Sequence, residues 1–372
     1  MTGLEREIRE LIAAEGPITV ERYMALALGH PRLGYYVTRD PLGAAGDFTT
    51  APEISQMFGE LIGLWAAETW SLLGRPAPLR LVELGPGRGT LMSDALRAAG
   101  VLPGFREALT VHLVETSPAL REAQARTLQP AGVAVTWHLQ LAEVPPGPAI
   151  VIANEFFDAL PIRQFVRART GWHERMVGLG PDGALSFGLA PDPDPRLAAP
   201  GQPGDVLEVG EAGLAIAAEI GARLARGGGA ALVIDYGHHR SGPGETLQSV
   251  RHHAFADPLA EPGEADLTAH VDFEALARAA ARAGASVHGP ESQGDFLRAL
   301  GIEARAERLR RGASAEQAAE IGAALRRLTG PGPDGMGDLF KAVAFAQPGV
   351  TQLPGFAPPA ASVRAAQELE QT

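Results

Sequence analysis

The stretch from Leu81 to Thr90 constrains the fold of this chain more than any other. Its sequence, LVELGPGRGT, is an apolar run that ends in an acid and a loop with glycines spaced G-x-G-x-G. An amphipathic segment with helical spacing follows and stops at Gly100. Glycines let a backbone turn sharply and lie close to a ligand, which such a loop delivers to the N-terminus of the next helix. The stretch therefore predicts the first β-loop-α unit of a nucleotide-binding α/β sheet.

Two details distinguish this loop from a dinucleotide-binding loop. Dinucleotide sites use the spacing G-x-G-x-x-G, in which the third glycine serves the packing of the helix. Glu83 also stands where those sites usually carry an apolar residue. A carboxylate at this position suits a cationic ligand better than a pyrophosphate, and S-adenosylmethionine carries both an ammonium and a sulfonium. The alternative is a tight β-to-α turn whose glutamate is satisfied within the protein.

The composition limits the class of protein. With 372 residues, of which 45% are hydrophobic and 20% charged, the chain can bury a sizeable core and is not expected to be disordered. A formal net charge of −12 argues against nucleic acid as the main partner. The absence of cysteine excludes disulfides, thiolate zinc sites and thiol catalysis. No apolar run reaches the ~18 residues of a membrane helix. The first residues lack a signal or transit pattern, so we expect a cytoplasmic protein without membrane insertion.

The chain is predicted to divide into three regions. Residues 1–75 indicate an N-terminal helical cap with a lid loop, residues 76–347 a sheet domain, and residues 348–372 a loosely ordered tail. The helices predicted in the cap cover 4–14, 20–29 and a long apolar stretch from Pro52 to Leu73.

Strand and helix patterns alternate through the sheet domain. Seven strands with helices between them predict a doubly wound, Rossmann-like α/β sheet, with ligands bound beyond the carboxyl ends of the strands. Insertions are predicted after the fourth strand (162–205) and after the fifth (238–270), and we expect them to cap that edge of the sheet. The predicted strands cover 81–84, 109–114, 133–137, 149–153, 230–234, 285–289 and 339–346.

A series of short blocks then makes the pattern more specific. They are GYY at 34–36, GDFTTAPE at 46–53, VELGPGRG at 82–89, NEFFDALP at 154–161, DYG at 235–237, DLTAHVDF at 266–273 and GDLFK at 337–341. The sheet domain resembles class I S-adenosylmethionine-dependent methyltransferases. Residues from about 15 to 347 resemble the MidA family, the bacterial relatives of mitochondrial NDUFAF7. The resemblance implies methylation of a protein arginine, which in the mitochondrial member belongs to a subunit of respiratory complex I. A homodimer is a further expectation.

The glycine loop and two acids are predicted to bind S-adenosylmethionine. Glu115 ends the second strand, where a carboxylate can accept hydrogen bonds from both ribose hydroxyls. The alternative for Glu115 is a solvated acid at a strand end. The methionine part of the cofactor is assigned to Glu83, Gly85, Gly87 and Gly89.

A loop before the long helix supplies further candidates. Asp47, Thr49 and Thr50 are predicted to form a lid over the cofactor. The equally weighted alternative is a turn and an N-cap for the helix that begins at Pro52.

Acids after the fourth strand are the candidates for catalysis. Asn154, Glu155 and Asp158 follow a buried strand, beside the place of the transferable methyl in this fold. Their alternative is a helix N-terminus, where acids are favourable. The residues predicted to bind the substrate are Asp235, Tyr236 and His270.

Other chemistries are less well supported by the residues. The histidines at 238, 239, 252, 253 and 270 match no standard metal-site spacing, so no metal is expected. Besides the protein arginine methyltransferase, two functions stay open. One is a non-catalytic assembly factor that binds the cofactor and a partner protein, and the other is a small-molecule methyltransferase.

Overall fold

The computed structural model of the protein describes residues 1–38, 49–251, 254–332 and 334–357. They form two compact units, each built from separate stretches of chain. The first unit takes its described residues from 1–49, 157–215 and 240–272, and the second from 50–156, 216–239 and 273–372. The division predicted from the sequence, 1–75, 76–347 and 348–372, stays a prediction.

The strands and helices are numbered in chain order. The strands are β1 (Ile18–Thr19), β2 (Leu79–Leu84), β3 (Leu109–Val114), β4 (Val135–His138), β5 (Ala149–Asn154), β6 (Arg163–Ala168), β7 (Gly171–Leu179), β8 (Leu185–Pro193), β9 (Val206–Val209), β10 (Gly229–His238), β11 (Gln248–Arg251), β12 (Ala254–Ala256), β13 (Asp266–Thr268), β14 (Val271–Asp272), β15 (Ser286–Ser292) and β16 (Phe340–Ala346).

The α-helices are α1 (Gly3–Glu15), α2 (Val20–Gly29), α3 (Tyr35–Thr38), α4 (Ala51–Ile54), α5 (Gln56–Leu72), α6 (Thr90–Ala98), α7 (Phe105–Ala108), α8 (Pro118–Leu128), α9 (Glu211–Gly227), α10 (Phe273–Arg282), α11 (Gln293–Ala299), α12 (Ile302–Arg310) and α13 (Ala315–Thr329). Short 3₁₀ turns lie at Ala99–Val101, Gln129–Ala131 and Leu141–Glu143.

Seven strands of the second unit form a mixed sheet in the order β15-β16-β10-β5-β2-β3-β4. The pairs from β10 to β4 are parallel, whereas β16 runs antiparallel to both β10 and β15. The predicted seven-stranded α/β fold is therefore confirmed. Because β2 pairs with β3 on one side and with β5 on the other, the strand order reverses at β2. Ligands of doubly wound sheets bind at such a reversal, beyond the carboxyl ends of the strands.

Two strands of this sheet are buried along their whole length. All residues of β5 and all residues of β16 are buried, as expected for strands covered on both faces.

The starts of two helices are explained by local capping. The hydroxyl of Ser117 accepts the N–H of Leu120 and Pro118 opens α8, whereas Ser314 and Gln317 form a capping box at α13.

The long helix predicted from Pro52 to Leu73 is two helices. Ser55 has extended φ and ψ of −164° and 137°, which ends α4, and its hydroxyl accepts the N–H of Met57 to start α5. α5 then packs closely on α6, because a Cβ on Gly63 would lie 2.6 Å from the Cα of Ala95. α5 and α6 both belong to the second unit.

The first unit has its own core and sheets. The apolar faces of α1 and α2 pack with Val177 of β7 and Leu267 of β13. Its larger sheet has the order β1-β7-β6-β9, with β8 paired to β7, and β11 lies between β12 and β13 in a smaller sheet. The stretch 162–205, predicted as a hairpin-like insertion, thus holds three strands, β6 to β8. Whether the insertions cap the sheet edge stays a prediction. In the part of the chain that the structure describes, no helix combines the length and the apolar character needed to cross a membrane.

Candidate active site

The loop after β2 is a tight turn built on glycines in left-handed conformations. Gly85, Gly87 and Gly89 have φ of 62°, 53° and 84°, which residues with a side chain rarely adopt. A Cβ on Gly85 would lie 2.8 Å from a ring carbon of Phe156, so there is no room for a larger residue. The turn leads directly into α6 at Thr90. The sequence prediction of a β-loop-α unit is confirmed.

Glu83 is the strongest sign of a cationic ligand. Its side chain is 3% exposed, and its Oε2 atom is buried without a hydrogen-bond partner among the residues that the structure describes. Burial raises the pKa of Glu83 to about 8. An ionised carboxylate costs several kcal/mol to bury unless it is paired. The ammonium of S-adenosylmethionine would supply the missing partner, so these residues fit the predicted cofactor.

Glu115 follows β3 and is held in place by two donors. Its Oε1 accepts the N–H of Ser117 at 2.7 Å, and its Oε2 accepts the side-chain amide of Gln124 at 3.1 Å. Burial raises the pKa of Glu115, although both donors lower it. The carboxylate is thus oriented by the protein and not a solvated acid, and each oxygen has a second lone pair for a ribose hydroxyl.

Glu155 lies just past the carboxyl end of β5 in a conformation that is unusual for a side-chain-bearing residue. Its φ is 50°, and its backbone N–H donates to the carbonyl of Ile234 at 2.9 Å. Its Oε1 accepts the N–H of Ala51 at 2.8 Å and the Asn154 amide at 3.1 Å. Left-handed conformations of residues other than glycine cost about 1–3 kcal/mol each and are concentrated at functional sites. The structure therefore marks Glu155 as a residue whose placement is enforced by its surroundings.

The carboxylate of Glu155 also bears on the alternative given for the lid residues, an N-cap for the helix that follows them. Thr50 occupies the N-cap position of α4, but its side chain makes no capping hydrogen bond. Glu155 caps the helix instead, because it accepts the first N–H of α4, from Ala51. Thr49 lies in the first unit, and Asp47 lies outside the described residues. The lid role of all three stays a prediction.

Asp235, predicted to bind substrate, is fully buried within β10, three residues before the strand ends at His238. Its two oxygens accept the backbone N–H groups of Phe156 at 3.1 Å and of Tyr236 at 2.9 Å. Asp235 thereby holds the residue whose ring closes against Gly85. These contacts are internal to the protein, and a role in substrate binding for Asp235 or Tyr236 stays a prediction.

The remaining candidates lie in the first unit. Asp158 is buried, and its carbonyl accepts the N–H of Ala269 at 3.0 Å. The backbone N–H of His270 donates to the hydroxyl of Thr246 at 2.8 Å. The structure therefore gathers Asn154 and Glu155 with the glycine loop in the second unit, whereas Asp158 and His270 belong to the first. Among the described residues no group of three or more His, Asp or Glu is placed to hold a metal ion.

Sequence reasoning missed residues that support the site. Glu53 accepts the hydroxyl of Thr90 at 2.6 Å, and Gln124 donates to both Glu115 and the carbonyl of Gly87. Glu53 lies in the GDFTTAPE block, so that block was a usable signal. Nothing local singles out Gln124, because a glutamine within a helix is ordinarily a surface residue.

Comparison with known proteins gives a family match. Residues 61–291 match the model of a family described as S-adenosyl-L-methionine-dependent methyltransferases. The human protein arginine methyltransferase NDUFAF7, mitochondrial, is 40% identical, over 82% of this chain and 75% of the human protein. The zebrafish (Danio rerio) protein of the same name is 40% identical, over 81% of this chain and 77% of its own length.

Two solved structures from Burkholderia thailandensis are similar along nearly the whole chain. A COG1565 superfamily member bound to S-adenosyl-homocysteine has 30% identity and a TM-score of 0.81, covering 95% of this chain and 93% of that one. A native crystal structure of an uncharacterised protein of the same superfamily has 31% identity and a TM-score of 0.82, covering 96% of each chain.

The relatives also correct one expectation. The cytoplasmic location predicted from the first residues is wrong by this comparison, since the curated relatives are named mitochondrial. The error has a simple cause: a missing signal pattern was used as positive evidence for a compartment, which composition at one end of a chain cannot supply.

Proposed function

This chain belongs to the S-adenosyl-L-methionine-dependent methyltransferase family, and from that premise we propose that it methylates an arginine side chain of a protein. It is an α/β enzyme with S-adenosylmethionine as its cofactor. The observation that carries the proposal is the fixed carboxylate of Glu155. It lies just past the end of β5, and β5 pairs with β2, the strand that leads into the glycine loop. The names of the curated relatives support arginine as the acceptor.

Residues of the second unit would hold the cofactor. Glu83 would pair with its ammonium, the glycine loop would lie along its methionine part, and Glu115 would accept its ribose hydroxyls. When bound, S-adenosylmethionine would supply an electrophilic methyl group for in-line transfer to a nucleophile, with S-adenosyl-homocysteine as the leaving group. The chain has to position that nucleophile and keep the reacting atoms away from water.

The guanidinium of arginine is a poor nucleophile, because it is protonated and its charge is spread over three nitrogens. A carboxylate paired with two of its N–H groups fixes its plane and draws positive charge away from the third nitrogen. We assign this pairing to Glu155, with its Oε2 atom toward the guanidinium, because Oε1 already accepts the N–H of Ala51 and the amide of Asn154. The proton leaves the methylated nitrogen during or after transfer, so positioning and electrostatics suffice and no strong base is needed. Asp158, the second acid predicted for this role, belongs to the first unit. Its contribution to methylation is tested separately, with a variant at that position.

The protein target that we propose is a subunit of respiratory complex I, which the resemblance to MidA implies. A net charge of −12 favours a cationic target segment over an acidic one. The homodimer expected from the sequence is likewise a proposal, which light scattering of the purified protein tests.

The direct test is transfer of labelled methyl from S-adenosylmethionine. Purified protein is incubated with labelled S-adenosylmethionine and with complex I subunits taken from cells that lack this protein. The products are digested and analysed by mass spectrometry. We expect methylarginine at a defined position in the treated subunits and none without the protein.

The competing functions give different results in the same assay. A non-catalytic assembly factor would bind S-adenosyl-homocysteine and a partner but transfer no label. A small-molecule methyltransferase would place the label in the low-molecular-weight fraction once a protein-free extract of the same cells is added to the assay. Either result would reject the proposed acceptor while leaving the cofactor assignment in place.

A further inference from the structure

Gln124 is a fully buried polar residue in α8 that contacts three other elements of the second unit. Its Nε2 donates to the carbonyl of Gly87 at 2.8 Å and to Oε2 of Glu115 at 3.1 Å. Its Oε1 accepts the indole N–H of Trp137, in β4, at 2.8 Å. One amide group therefore joins the glycine loop, the acid after β3 and the strand at the edge of the sheet.

The chemistry of the partners permits only one orientation of this amide. The indole N–H of Trp137 can only donate, so the oxygen of Gln124 must face it. The Gly87 carbonyl and an ionised Glu115 can only accept, so the nitrogen must face them. Both of its N–H groups are then used. A side chain whose every polar atom is committed, in the interior, is held rigidly.

The backbone of α8 is equally close to the loop. A Cβ added to Gly89 would lie 3.4 Å from the Cα of Gln124, which is ordinary van der Waals contact. The loop therefore rests on the helix turn that carries Gln124. The amide and the backbone of Gln124 therefore contact the loop and Glu115 together, in addition to the hydrogen bond from the N–H of Gly85 to the carbonyl of Val114.

We propose that Gln124 is a positioning residue that fixes the distance between the two halves of the cofactor site. Glu115 would receive the ribose and the loop from Gly85 to Gly89 the methionine part, and the side-chain amide of Gln124 hydrogen-bonds to both. A ligand that spans both halves needs their spacing preset, because each rearrangement on binding lowers the affinity. The inference rests on cofactor binding alone and does not depend on the proposed arginine acceptor.

The test measures binding, not turnover. S-adenosyl-homocysteine, which spans both halves, and adenosine, which reaches the ribose half alone, are titrated by calorimetry into wild-type protein and into Gln124→Leu. Leucine keeps a similar volume and removes all three hydrogen bonds. We expect S-adenosyl-homocysteine to bind about 10- to 100-fold more weakly to the variant, the range for stranded buried partners. Adenosine should lose less, because it does not depend on the spacing.

The same change, glutamine to leucine, made just after this helix is the matched control. Gln129 lies exposed just after α8, so Gln129→Leu should bind both ligands as wild type does. Gln124→Glu keeps an acceptor for Trp137 but places a second carboxylate beside Glu115. Its affinity for S-adenosyl-homocysteine should therefore fall at least as far as that of Gln124→Leu.

A second variant keeps the inference falsifiable if Gln124→Leu does not fold. Trp137→Phe retains an aromatic ring and removes only the donor that orients the amide, so S-adenosyl-homocysteine should bind about three- to tenfold more weakly. Equal losses for adenosine and S-adenosyl-homocysteine, or a dissociation constant for S-adenosyl-homocysteine within twofold of wild type in Gln124→Leu or Trp137→Phe, would overturn the role of Gln124.

Discussion

The hydroxyl of Thr90 donates a hydrogen bond of 2.6 Å to Oε1 of Glu53, which joins the first residue of α6 to α4. At its other end, α4 is capped by Glu155, whose carboxylate accepts the N–H of Ala51. Three blocks far apart in the sequence are therefore hydrogen-bonded into one assembly beside the glycine loop. They are residues 50–53, the loop with Thr90, and the pair Asn154 and Glu155.

Thr90→Val tests this connection. The variant removes the donor and leaves the half-buried carboxylate of Glu53 without it, a loss of about 1.5–3 kcal/mol for a hydrogen bond to a charged group. We expect a lower free energy of unfolding in urea and weaker binding of S-adenosyl-homocysteine. Thr136→Val, an exposed position on β4, is the matched control and should change neither quantity. Wild-type stability and affinity in Thr90→Val would show that the bond contributes nothing.

Gly85→Ala should damage the cofactor site without unfolding the sheet. The φ of 62° costs an alanine about 1 kcal/mol, and its Cβ would lie 2.8 Å from the ring of Phe156, which Asp235 holds by the backbone. We expect binding of S-adenosyl-homocysteine to weaken by about tenfold or more, measured by calorimetry. Gly100→Ala is the control, since no heavy atom lies within 4 Å of the added Cβ.

Cofactor affinity should depend on pH through Glu83. Its pKa of about 8 means that the free protein is mostly protonated there at pH 7, whereas a bound ammonium favours the ionised carboxylate. Binding at pH 7 should therefore release close to one proton, and affinity should fall by about tenfold per pH unit as the pH drops below 8.

Calorimetry in buffers of different ionisation enthalpy counts those protons. Glu83→Gln should release almost none and should bind with a much flatter pH dependence. The amine of the ligand titrates identically in both experiments. The difference in proton release between the two proteins is therefore due to Glu83. Equal proton release by the two proteins would remove Glu83 from the site.

Glu155→Gln separates catalysis from capping. The glutamine keeps an Oε1 atom that can accept the N–H of Ala51, so the α4 cap is retained while the negative charge is lost. We expect methylation to be abolished and S-adenosyl-homocysteine to bind as it does to wild type. Asp158→Asn makes the same comparison for the second acid. Methylation at the wild-type rate in both variants would mean that the carboxylates serve the structure alone.

Gly63→Ala tests the packing of α5 on α6. The added methyl would lie 2.6 Å from the backbone of Ala95, which cannot move aside as a side chain can. Overpacking of this kind costs about 1–3 kcal/mol, to be measured by chemical denaturation. Gly29→Ala, at the end of α2 with open space around the added methyl, should be neutral or slightly stabilising.

Much of the fold and part of the site could be predicted from local pattern. The apolar run of β5, the turn at Gly85 to Gly89 and the N-cap at Ser117 each depend on residues near in the chain, so periodicity and capping chemistry identify them. Glu83 could be singled out as a candidate, because a buried carboxylate needs a partner, but the sequence left open whether that partner is a ligand or a group of the protein.

Other features depend on residues that meet only when the chain is folded. Glu155 caps a helix 104 positions earlier, and Gln124 reaches the carbonyl of Gly87 37 positions away. The break at Ser55 also escaped prediction, since the apolar spacing continues through it while the cap of α4 comes from Glu155. Periodicity records which face of an element is buried, but it does not record which distant polar group satisfies a given N–H or carboxylate. Those pairings follow from the requirement that buried polar groups find partners in three dimensions, and the tertiary structure alone specifies them.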